Sequence, residues 1–355
     1  MKVLHVIAGI DPRSGGPTRS VKGLCRGLSS AGLDVSLLVL TGDHQFENPC
    51  GVNIVRGWID DLRGFDLVHI HGLWLWTVHK VIRECRRQKV KYVISTRGML
   101  DPWALSVKRW KKKIAMFLYQ RRDLVEAAAF HATADDEKRH ICALGLSQSI
   151  IVAPNGVDLP ESMPPRKPID DYKGKSAIFL SRLHPGKGLL TLADAWAQIR
   201  PKGWRMMVVG PDSYRHKQDV ISRLVKLGIA SDWEFIDAVD DNLKWHYYRS
   251  ADLLIHPSVS ENFGITIAEG LAAGLPVIAT QGTPWSELVS RECGWWIEVG
   301  VEPLAAALNN AINQDDETLE KMGALGRRLI TEKYTWEAVS KAMIRGYEEI
   351  LYAGY

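Results

Sequence analysis

The amino-acid sequence predicts an α/β protein of two domains. In both halves of the chain, short apolar runs that are typical of buried parallel strands alternate with segments of helical periodicity. The 355 residues and their apolar content of 46% are sufficient for two hydrophobic cores. A polar, proline-rich stretch at 160–168 separates the two halves. We therefore expect a first domain over 1–159, a linker over 160–172, a second domain over 173–334 and a helical tail over 335–355.

The composition argues against several classes of protein. The five cysteines are odd in number and contain no C-x-x-C pair, which disfavours a disulfide framework or a zinc site. The net charge of +4 gives no general indication of nucleic-acid binding. The first apolar run, MKVLHVIAG, is too short for a signal peptide, and no run reaches the ~18 apolar residues of a membrane span. We expect a cytoplasmic protein.

In the first half, strands are predicted at 2–7, 35–40, 67–71, 92–95 and 131–134. Gly15 and Gly16 follow the first strand and precede a helical pattern, as in a phosphate-facing Rossmann-like opening. A simple tight turn is the alternative, because the spacing is not G-x-G-x-x-G. Ligands of such sheets gather at the carboxyl ends of the strands, so His71 and Arg97 are expected at the edge of a binding cleft.

The most informative stretch is 258–280, SVSENFGITIAEGLAAGLPVIAT, in the second half of the chain. It lies between strands predicted at 253–255 and 276–279, and other strands are predicted at 177–180, 204–210 and 233–239. A helix is predicted over Ile265–Ala273, closed by Gly274. Glu261 precedes this helix, and Glu269 lies within it, about 12 Å further along at the rise of a helix.

These two carboxylates are too far apart to bind one metal ion, but they can hold the two ends of an extended ligand. The amides of Asn262, Phe263, Gly264 and Ile265 lie at the helix start, where an anion is favoured. A nucleotide sugar, with hydroxyls at both ends and phosphates between them, fits this arrangement. The alternative, a pair of solvated surface glutamates, is disfavoured by the glycines, the phenylalanine and the flanking strands.

Two cations follow the first strand of the second domain. Arg182 and Lys187 occur in the segment S-R-L-H-P-G-K-G, five residues apart in a glycine-bearing loop. Charge-assisted hydrogen bonds to phosphate are stronger than neutral ones, so this pair is suited to a diphosphate. The alternative is that these are two unrelated surface cations. The presence of Glu261 and Glu269 in the same domain makes diphosphate binding the favoured interpretation.

The ordered pattern S-x-x-E-x-F-G-x-x-x-x-E-x-x-A-x-G-x-P-V-I-A resembles the donor-binding signature of the glycosyltransferases of family 4, also called glycosyl transferases group 1. The resemblance extends over nearly the whole chain and is strongest from 177 to 290. It implies the GT-B fold, an α/β architecture of two Rossmann-like doubly wound domains that face a central cleft. It also implies a terminal helix that crosses back to the first domain, and a reaction that retains the anomeric configuration.

The resemblance also implies roles for individual residues. Arg182 and Lys187 would hold the donor diphosphate and, with Glu261, form the catalytic group. Glu261 would bind a sugar hydroxyl, and Glu269 would bind the ribose. The turn with Asp237 and Val239 would contact the nucleobase. The full donor-binding set is Gly15, Gly16, Arg182, Lys187, Asp237, Val239, Glu261, Asn262, Phe263, Gly264, Ile265 and Glu269.

On the acceptor side, the candidates are His71, Arg97 and His131. Many members of the family have a histidine at the position of Arg97. An arginine stays protonated and cannot act as a base, so we expect Arg97 to bind acceptor or phosphate charge instead.

The segment VKRWKKKIAMFLYQRR at 107–122 predicts a basic amphipathic helix. Such a helix is typical of a membrane surface, and the predicted contacts are Lys108, Arg109, Trp110, Lys111, Lys112 and Lys113. A helix whose apolar face packs on the core is the alternative.

We therefore predict a metal-independent hexosyltransferase without a cofactor, since no D-x-D occurs in the sequence. The expected donor is a UDP- or GDP-sugar, and the expected acceptor is a lipid-linked glycan of bacterial envelope polysaccharide synthesis at the inner face of the cytoplasmic membrane. A small soluble acceptor, a sugar-nucleotide epimerase of the same fold and a noncatalytic sugar- or nucleotide-binding module are the alternatives; a phosphorylase would need a pyridoxal-bearing lysine that the sequence does not reveal.

Overall fold

A computed structural model describes residues 1–9, 16–41 and 50–352. Their contacts divide the chain into two units. The N-terminal unit comprises Met1–Asp158 together with Tyr334–Tyr355, and the C-terminal unit comprises Leu159–Lys333. By this division the stretch 160–172, predicted as a linker, belongs to the C-terminal unit, and the terminal helix belongs to the N-terminal unit.

The described part of the N-terminal unit contains a parallel sheet of seven strands in the order β3-β2-β1-β4-β5-β6-β7. The strands are β1 Lys2–Gly9, β2 Asp34–Thr41, β3 Val52–Arg56, β4 Leu67–His71, β5 Tyr92–Ser95, β6 Ala129–Ala132 and β7 Ser149–Val152. The central strands are almost continuously apolar because helices cover both faces of the sheet, with a separate hydrophobic core on each face.

The C-terminal unit contains a parallel sheet of six strands in the order β10-β9-β8-β11-β12-β13 within the described residues. The strands are β8 Lys175–Leu180, β9 Trp204–Val209, β10 Trp233–Ile236, β11 Leu253–His256, β12 Val277–Thr280 and β13 Gly294–Ile297. In both sheets the first strand is central, the next two strands are added on one side of it, and the remaining strands are added on its other side. This is the strand order of the Rossmann fold.

Fourteen α-helices connect the strands in the described residues. Those of the N-terminal unit are α1 Gly16–Ser30, α2 Trp76–Gln88, α3 Pro102–Ser106, α4 Arg109–Ala115, α5 Arg121–Val125, α6 Asp135–Ala143 and α14 Trp336–Tyr352. Those of the C-terminal unit are α7 Leu189–Ile199, α8 His216–Leu227, α9 Leu243–Ser250, α10 Ile265–Ala273, α11 Glu287–Ser290, α12 Val301–Ile312 and α13 Asp316–Lys333. Among these helices, none combines the length and the apolar character that a membrane crossing requires.

The predicted strands agree with the structure where the apolar run is buried and central. Strands β4 and β5 and helix α10 have the predicted bounds, whereas β6 begins and ends two residues earlier than predicted. Strands β3 and β13 were not predicted. Both are short edge strands, of five residues in β3 and four in β13, and a run of that length is a weak signal for a strand.

The single helix predicted over 107–122 is wrong in one respect. Lys108 has a φ of 50°, so the helix begins only at Arg109, and a π-helical segment, Met116–Gln120, lies between α4 and α5. The side-chain amide of Gln120 accepts a hydrogen bond from the backbone of Trp74 at 2.8 Å. The Tyr119 hydroxyl donates to the backbone oxygen of the same residue. These bonds hold the π-helical segment against the loop that precedes α2.

The last helix, α14, packs through Trp336 on two glycines, Gly23 of α1 and Gly156 in the segment after β7. A β-carbon on Gly23 would lie 2.1 Å from the Trp336 ring, and one on Gly156 would lie 2.4 Å from the same ring. The indole of Trp336 also donates a hydrogen bond to Asp158 at 2.8 Å. The absence of side chains on these two glycines therefore leaves the space that seats the terminal helix.

Candidate active site

In the C-terminal unit the strand order reverses between β8 and β11. Loops that leave two adjacent parallel strands in opposite directions open a crevice at their carboxyl ends, where ligands of this fold class bind. The segment with Arg182 and Lys187 follows β8, and the segment with Glu261 follows β11. The predicted donor residues thus come from the two loops that border the reversal.

The loop after β8 approaches the backbone after β11 very closely. Gly188 has a φ of 75°, and a β-carbon there would lie 2.1 Å from the backbone oxygen of Pro257. The amide of Val259 donates to the backbone oxygen of Gly186 at 3.0 Å. A glycine at 188 is therefore required for both conformation and space.

This close approach brings Lys187 and Glu261 together as an ion pair. The same carboxylate contacts the ring of His256 and the hydroxyl of Ser258, each at 3.1 Å. Burial would raise the pKa of Glu261, but the hydrogen bond with His256 and the charge of Lys187 lower it to about 2. The carboxylate is therefore ionised at neutral pH, and it remains a hydrogen-bond acceptor for a ligand hydroxyl.

Helix α10 begins directly after this carboxylate. Gly264 has a φ of 78° and allows the chain to turn into the helix. Phe263 is buried against Trp285, with the ring centroids 5.4 Å apart, and the Trp285 indole donates to the backbone oxygen of Phe263. The phenylalanine is thus an anchor for the helix start. Asn262 and Ile265, on either side, are partly buried.

The second predicted carboxylate, Glu269, belongs to a different network. It is 5% exposed and accepts hydrogen bonds from the Lys244 ammonium at 2.7 Å and the Tyr248 hydroxyl at 3.0 Å, both on α9. Burial acts to lower the pKa of Lys244, but Glu269 and Asp241 raise it overall. A carboxylate offers about four acceptor positions, so Glu269 can accept a ribose hydroxyl only in addition to these two bonds.

The remaining donor candidates have fewer contacts. Arg182 is exposed and makes no hydrogen bond or ion pair with the described residues. Asp237 follows β10 and is exposed, with the Lys217 ammonium 3.5 Å from its carboxylate, and Val239 is partly buried. In the N-terminal unit, Gly16 begins α1, whereas Gly15 lies outside the described residues.

The N-terminal unit has the corresponding reversal between β1 and β4, and histidines lie on both strands. His5 on β1 is paired in register with His69 on β4, and His71 ends β4. The predicted acceptor-side residue His71 contacts His5 at 2.9 Å and the Arg97 guanidinium at 3.1 Å. Burial and the charge of Arg97 lower the pKa of His5 to about 3, and burial likewise holds the pKa of His71 well below its usual range.

These contacts determine the proton positions. Because Arg97 only donates hydrogen bonds, Nδ1 of His71 must accept one. Nε2 of His71 then carries the proton and donates it to Nδ1 of His5. Arg97 has a φ of 54° and also donates to Ser20 at 2.7 Å and Asn155 at 3.1 Å. Burial lowers the pKa of Arg97 to about 10, so the guanidinium remains a cation at neutral pH.

A second hydrogen-bond chain runs through His131, the third acceptor-side candidate. Its Nε2 donates to the backbone of Ala153 at 2.9 Å, so its Nδ1 accepts from Ser95 at 2.6 Å. Ser95 in turn accepts from His69 at 2.7 Å, and His69 accepts from the Tyr347 hydroxyl of α14 at 2.6 Å. Burial and the charge of Arg97 lower the pKa of His131 to about 4. Every member of this chain is neutral and satisfied.

The ring nitrogens of His5, His69 and His71 lie within 4.8 Å of one another, which is the spacing that a metal site requires. Both nitrogens of His69 are already hydrogen-bonded, and the Arg97 cation contacts His71. We therefore interpret these histidines as a hydrogen-bonded network and not as a metal site.

Sequence reasoning missed His5, His69, Ser95, Lys244 and Tyr248. The two residues of α9 have a detectable signal, because Lys244 and Tyr248 are four residues apart and share one face of that helix. His5 and His69 occur inside apolar strands, where a polar residue is unusual and marks a possible site. Their pairing, however, depends on the register of β1 with β4.

Comparison with known proteins agrees with this architecture. The family described as "Glycosyltransferase Family 4" matches residues 14–161, and the family "Glycosyl transferases group 1" matches residues 165–329. This chain belongs to the family 4 glycosyltransferases. A sucrose-phosphate synthase from Thermosynechococcus elongatus has the same fold, with a TM-score of 0.80 at 18% identity over all of both chains. The Anabaena protein HepE in complex with UDP and glucose has a TM-score of 0.76 at 18% identity, over 98% of this chain and all of the other. The fold is GT-B.

Two curated relatives have stated activities. A phosphatidyl-myo-inositol mannosyltransferase of Mycobacterium tuberculosis is 30% identical over 220 residues, which are 59% of this chain and only 56% of that relative's length. A GDP-mannose:cellobiosyl-diphosphopolyprenol alpha-mannosyltransferase of Komagataeibacter xylinus is 23% identical over 99% of this chain and 94% of its own.

We expect Lys244→Met to destabilise the C-terminal unit. Without the ammonium, the buried carboxylate of Glu269 loses its charge partner, which typically costs about 3–5 kcal/mol. The free energy of unfolding, measured by urea denaturation, tests this. Lys226→Met removes an exposed helical lysine without a partner among the described residues and should change the value by less than about 0.5 kcal/mol. Equal effects of the two substitutions would show that the pair with Glu269 is not important.

We expect Tyr347→Phe to destabilise the N-terminal unit by about 1–3 kcal/mol, because Nδ1 of the buried His69 loses its hydrogen-bond donor. Tyr352→Phe on the same helix is the matched control, since Tyr352 is 61% exposed. Hydrogen exchange of the α14 amides measures the local effect. If α14 is equally protected in both variants, the buried hydroxyl does not hold this helix.

Proposed function

We propose that this glycosyltransferase moves a hexose from a nucleoside-diphosphate sugar to a lipid-linked acceptor, with retention of the anomeric configuration. The observation that carries the donor half is the ion pair of Lys187 with Glu261 at the strand-order reversal of the C-terminal unit. It places a cation for the diphosphate beside a carboxylate for a sugar hydroxyl, at the start of helix α10.

The roles of the donor residues follow from this geometry. As the sugar departs, negative charge accumulates on the diphosphate. Lys187, Arg182 and the amides at the start of α10 stabilise this charge. Arg182 is available for this role without breaking a hydrogen bond or ion pair with any described residue. No metal ion or other cofactor is needed for the leaving group in this mechanism, so transfer should survive chelation by EDTA.

The acceptor half is supported by the exposed surface of the segment 108–122. Phe117 is 90% and Leu118 is 68% exposed, and Trp110 and Ile114 are also mostly exposed. The alternative in which this apolar face packs on the core is therefore wrong. Basic residues surround the apolar side chains, a combination that favours the surface of an anionic membrane. We place the enzyme at the inner face of the cytoplasmic membrane, in envelope polysaccharide synthesis.

The relatives support the same assignment. The stated activities of two of them are mannosyl transfer, one from GDP-mannose to a diphosphopolyprenol-linked sugar and one to phosphatidyl-myo-inositol. HepE, which shares the fold, has been crystallised with UDP-glucose. A GDP- or UDP-hexose is therefore the donor class to be tested.

We expect Lys187→Ala to weaken binding of the correct donor about tenfold or more, because a charge-assisted bond contributes roughly 1.5–3 kcal/mol. Calorimetry with a panel of UDP- and GDP-sugars identifies the donor and measures the effect. Lys226→Ala, which removes an exposed lysine from the last turn of α8, should not change the affinity. Unchanged affinity in Lys187→Ala would remove this lysine from the donor site, and loss of transfer in EDTA with recovery in Mn²⁺ would contradict the metal-free mechanism.

We expect the protein to sediment with vesicles that contain anionic phosphatidylglycerol, and less so at high salt. Near such a surface each basic residue contributes on the order of 1 kcal/mol. The charge reversals Lys111→Glu and Lys113→Glu should therefore abolish binding. Lys112 is retained because its ammonium bonds the backbone oxygen of Ala104.

The control carries the same number of charge reversals in the C-terminal unit, Lys202→Glu and Lys226→Glu, and should sediment like the wild type. If the wild type does not bind these vesicles at low salt, the lipid-linked acceptor loses its support and a small soluble acceptor becomes the better assignment.

A further inference from the structure

A cavity lies in the N-terminal unit, between α2 and the π-helical segment Met116–Gln120. Its volume is about 660 Å³, within the range of roughly 300–1,000 Å³ that is common for ligand sites. We call it the arginine pocket. Its lining includes Leu118, Tyr119 and five charged residues, which are Arg83, Glu84, Arg86, Arg87 and Arg122.

The arginine pocket has an excess of positive charge. Three of its four arginines have carboxylate partners, since Arg86 bonds Asp123 at 2.8 Å, Arg87 bonds Glu84, and Nε of Arg122 bonds Glu126 at 2.8 Å. These contacts are all between described side chains. Arg83 is exposed and has no hydrogen bond or ion pair with any described residue. An anion that enters the pocket therefore meets one guanidinium that forms no ion pair with a described carboxylate.

The pocket borders the exposed apolar side chains of 108–122. Leu118 belongs both to the pocket lining and to that surface. Trp76, which is 54% exposed, packs edge-on against the lining residue Tyr119, with the ring centroids 5.5 Å apart. A ligand that fills the pocket thus has guanidinium groups around one end and exposed apolar side chains next to the other.

We propose that the arginine pocket binds the phosphate or diphosphate group of an amphiphile whose hydrocarbon chain lies along Leu118 and Trp76. Guanidinium groups match phosphate oxygens in pairs of hydrogen bonds. Arg83 and the terminal amino groups of Arg122 supply donors without giving up the contacts of Arg86 with buried Asp123. The assignment rests on the proposed function, because it takes the amphiphile to be a membrane-anchored acceptor or a phospholipid beside it.

Binding is tested on the whole protein, in the absence of donor, with soluble probes. Calorimetry with geranyl diphosphate should show saturable binding, and Arg83→Gln with Arg122→Gln should weaken it by about tenfold or more. Monomeric dihexanoyl phosphatidylglycerol is the second probe, and the tighter of the two distinguishes an isoprenyl-diphosphate acceptor from a phospholipid headgroup. Inorganic pyrophosphate should bind at least ~10-fold more weakly than geranyl diphosphate; equal affinities would overturn the assignment to an amphiphile.

Two controls separate the arginine pocket from other effects. The first control is the double variant Arg345→Gln with Arg139→Gln, which should leave binding unchanged. Like Arg83, Arg345 has no partner among the described residues. Like Arg122, Arg139 forms an ion pair within its helix. Lys187→Ala should also leave it unchanged. If Lys187→Ala abolishes binding of geranyl diphosphate and the arginine pair does not, the probe occupies the donor site and the proposal is wrong.

The result is independent of sugar transfer. Binding of geranyl diphosphate that depends on Arg83 and Arg122 supports the pocket even if no transfer activity is found. Transfer to a lipid acceptor without such binding overturns the pocket and leaves the proposed function intact. Circular dichroism of each variant confirms that a loss of binding is not a loss of fold.

Discussion

The reversal of strand order in each parallel sheet is the constraint on which the chemistry of this protein depends. At a reversal, two neighbouring strands send their loops apart, and side chains from distant parts of the sequence meet at the carboxyl ends of the strands. In the C-terminal unit the reversal joins the loops of β8 and β11, and Lys187 meets Glu261 there. In the N-terminal unit it brings the histidines of β1 and β4 into contact.

The two units differ in the charge state of their buried polar groups. The C-terminal unit keeps its buried groups charged, because each carboxylate has a lysine partner that offsets the loss of hydration. The N-terminal unit keeps its histidines neutral, because full burial and the nearby Arg97 cation both oppose protonation. The first arrangement is suited to an ionic ligand such as a diphosphate. The second arrangement orients uncharged hydrogen-bond donors and acceptors around a single cation, the guanidinium of Arg97.

The N-terminal unit also carries two surface features that are adjacent in space. Large apolar side chains of 108–122 are exposed. The π-helical segment Met116–Gln120 belongs to this stretch and forms one wall of the arginine pocket. The hydrogen bonds of Tyr119 and Gln120 to Trp74 hold that segment in position. An apolar surface and a cationic pocket side by side are complementary to a molecule with a hydrocarbon chain and a phosphate.

The sequence by itself determined the α/β class, the central strands and helix α10, because buried parallel strands are continuous apolar runs and glycines mark where helices begin and end. It also pointed to Glu261, Lys187 and the basic segment, since these signals are local. Only the tertiary structure decided that Lys187 pairs with Glu261 and that Glu269 pairs with Lys244, because these partners are 74 and 25 residues apart. Only the tertiary structure likewise showed that Phe117 is exposed and that the buried histidines are neutral. Burial and proton positions depend on which strands and helices become neighbours, and a linear pattern of residues does not contain that information.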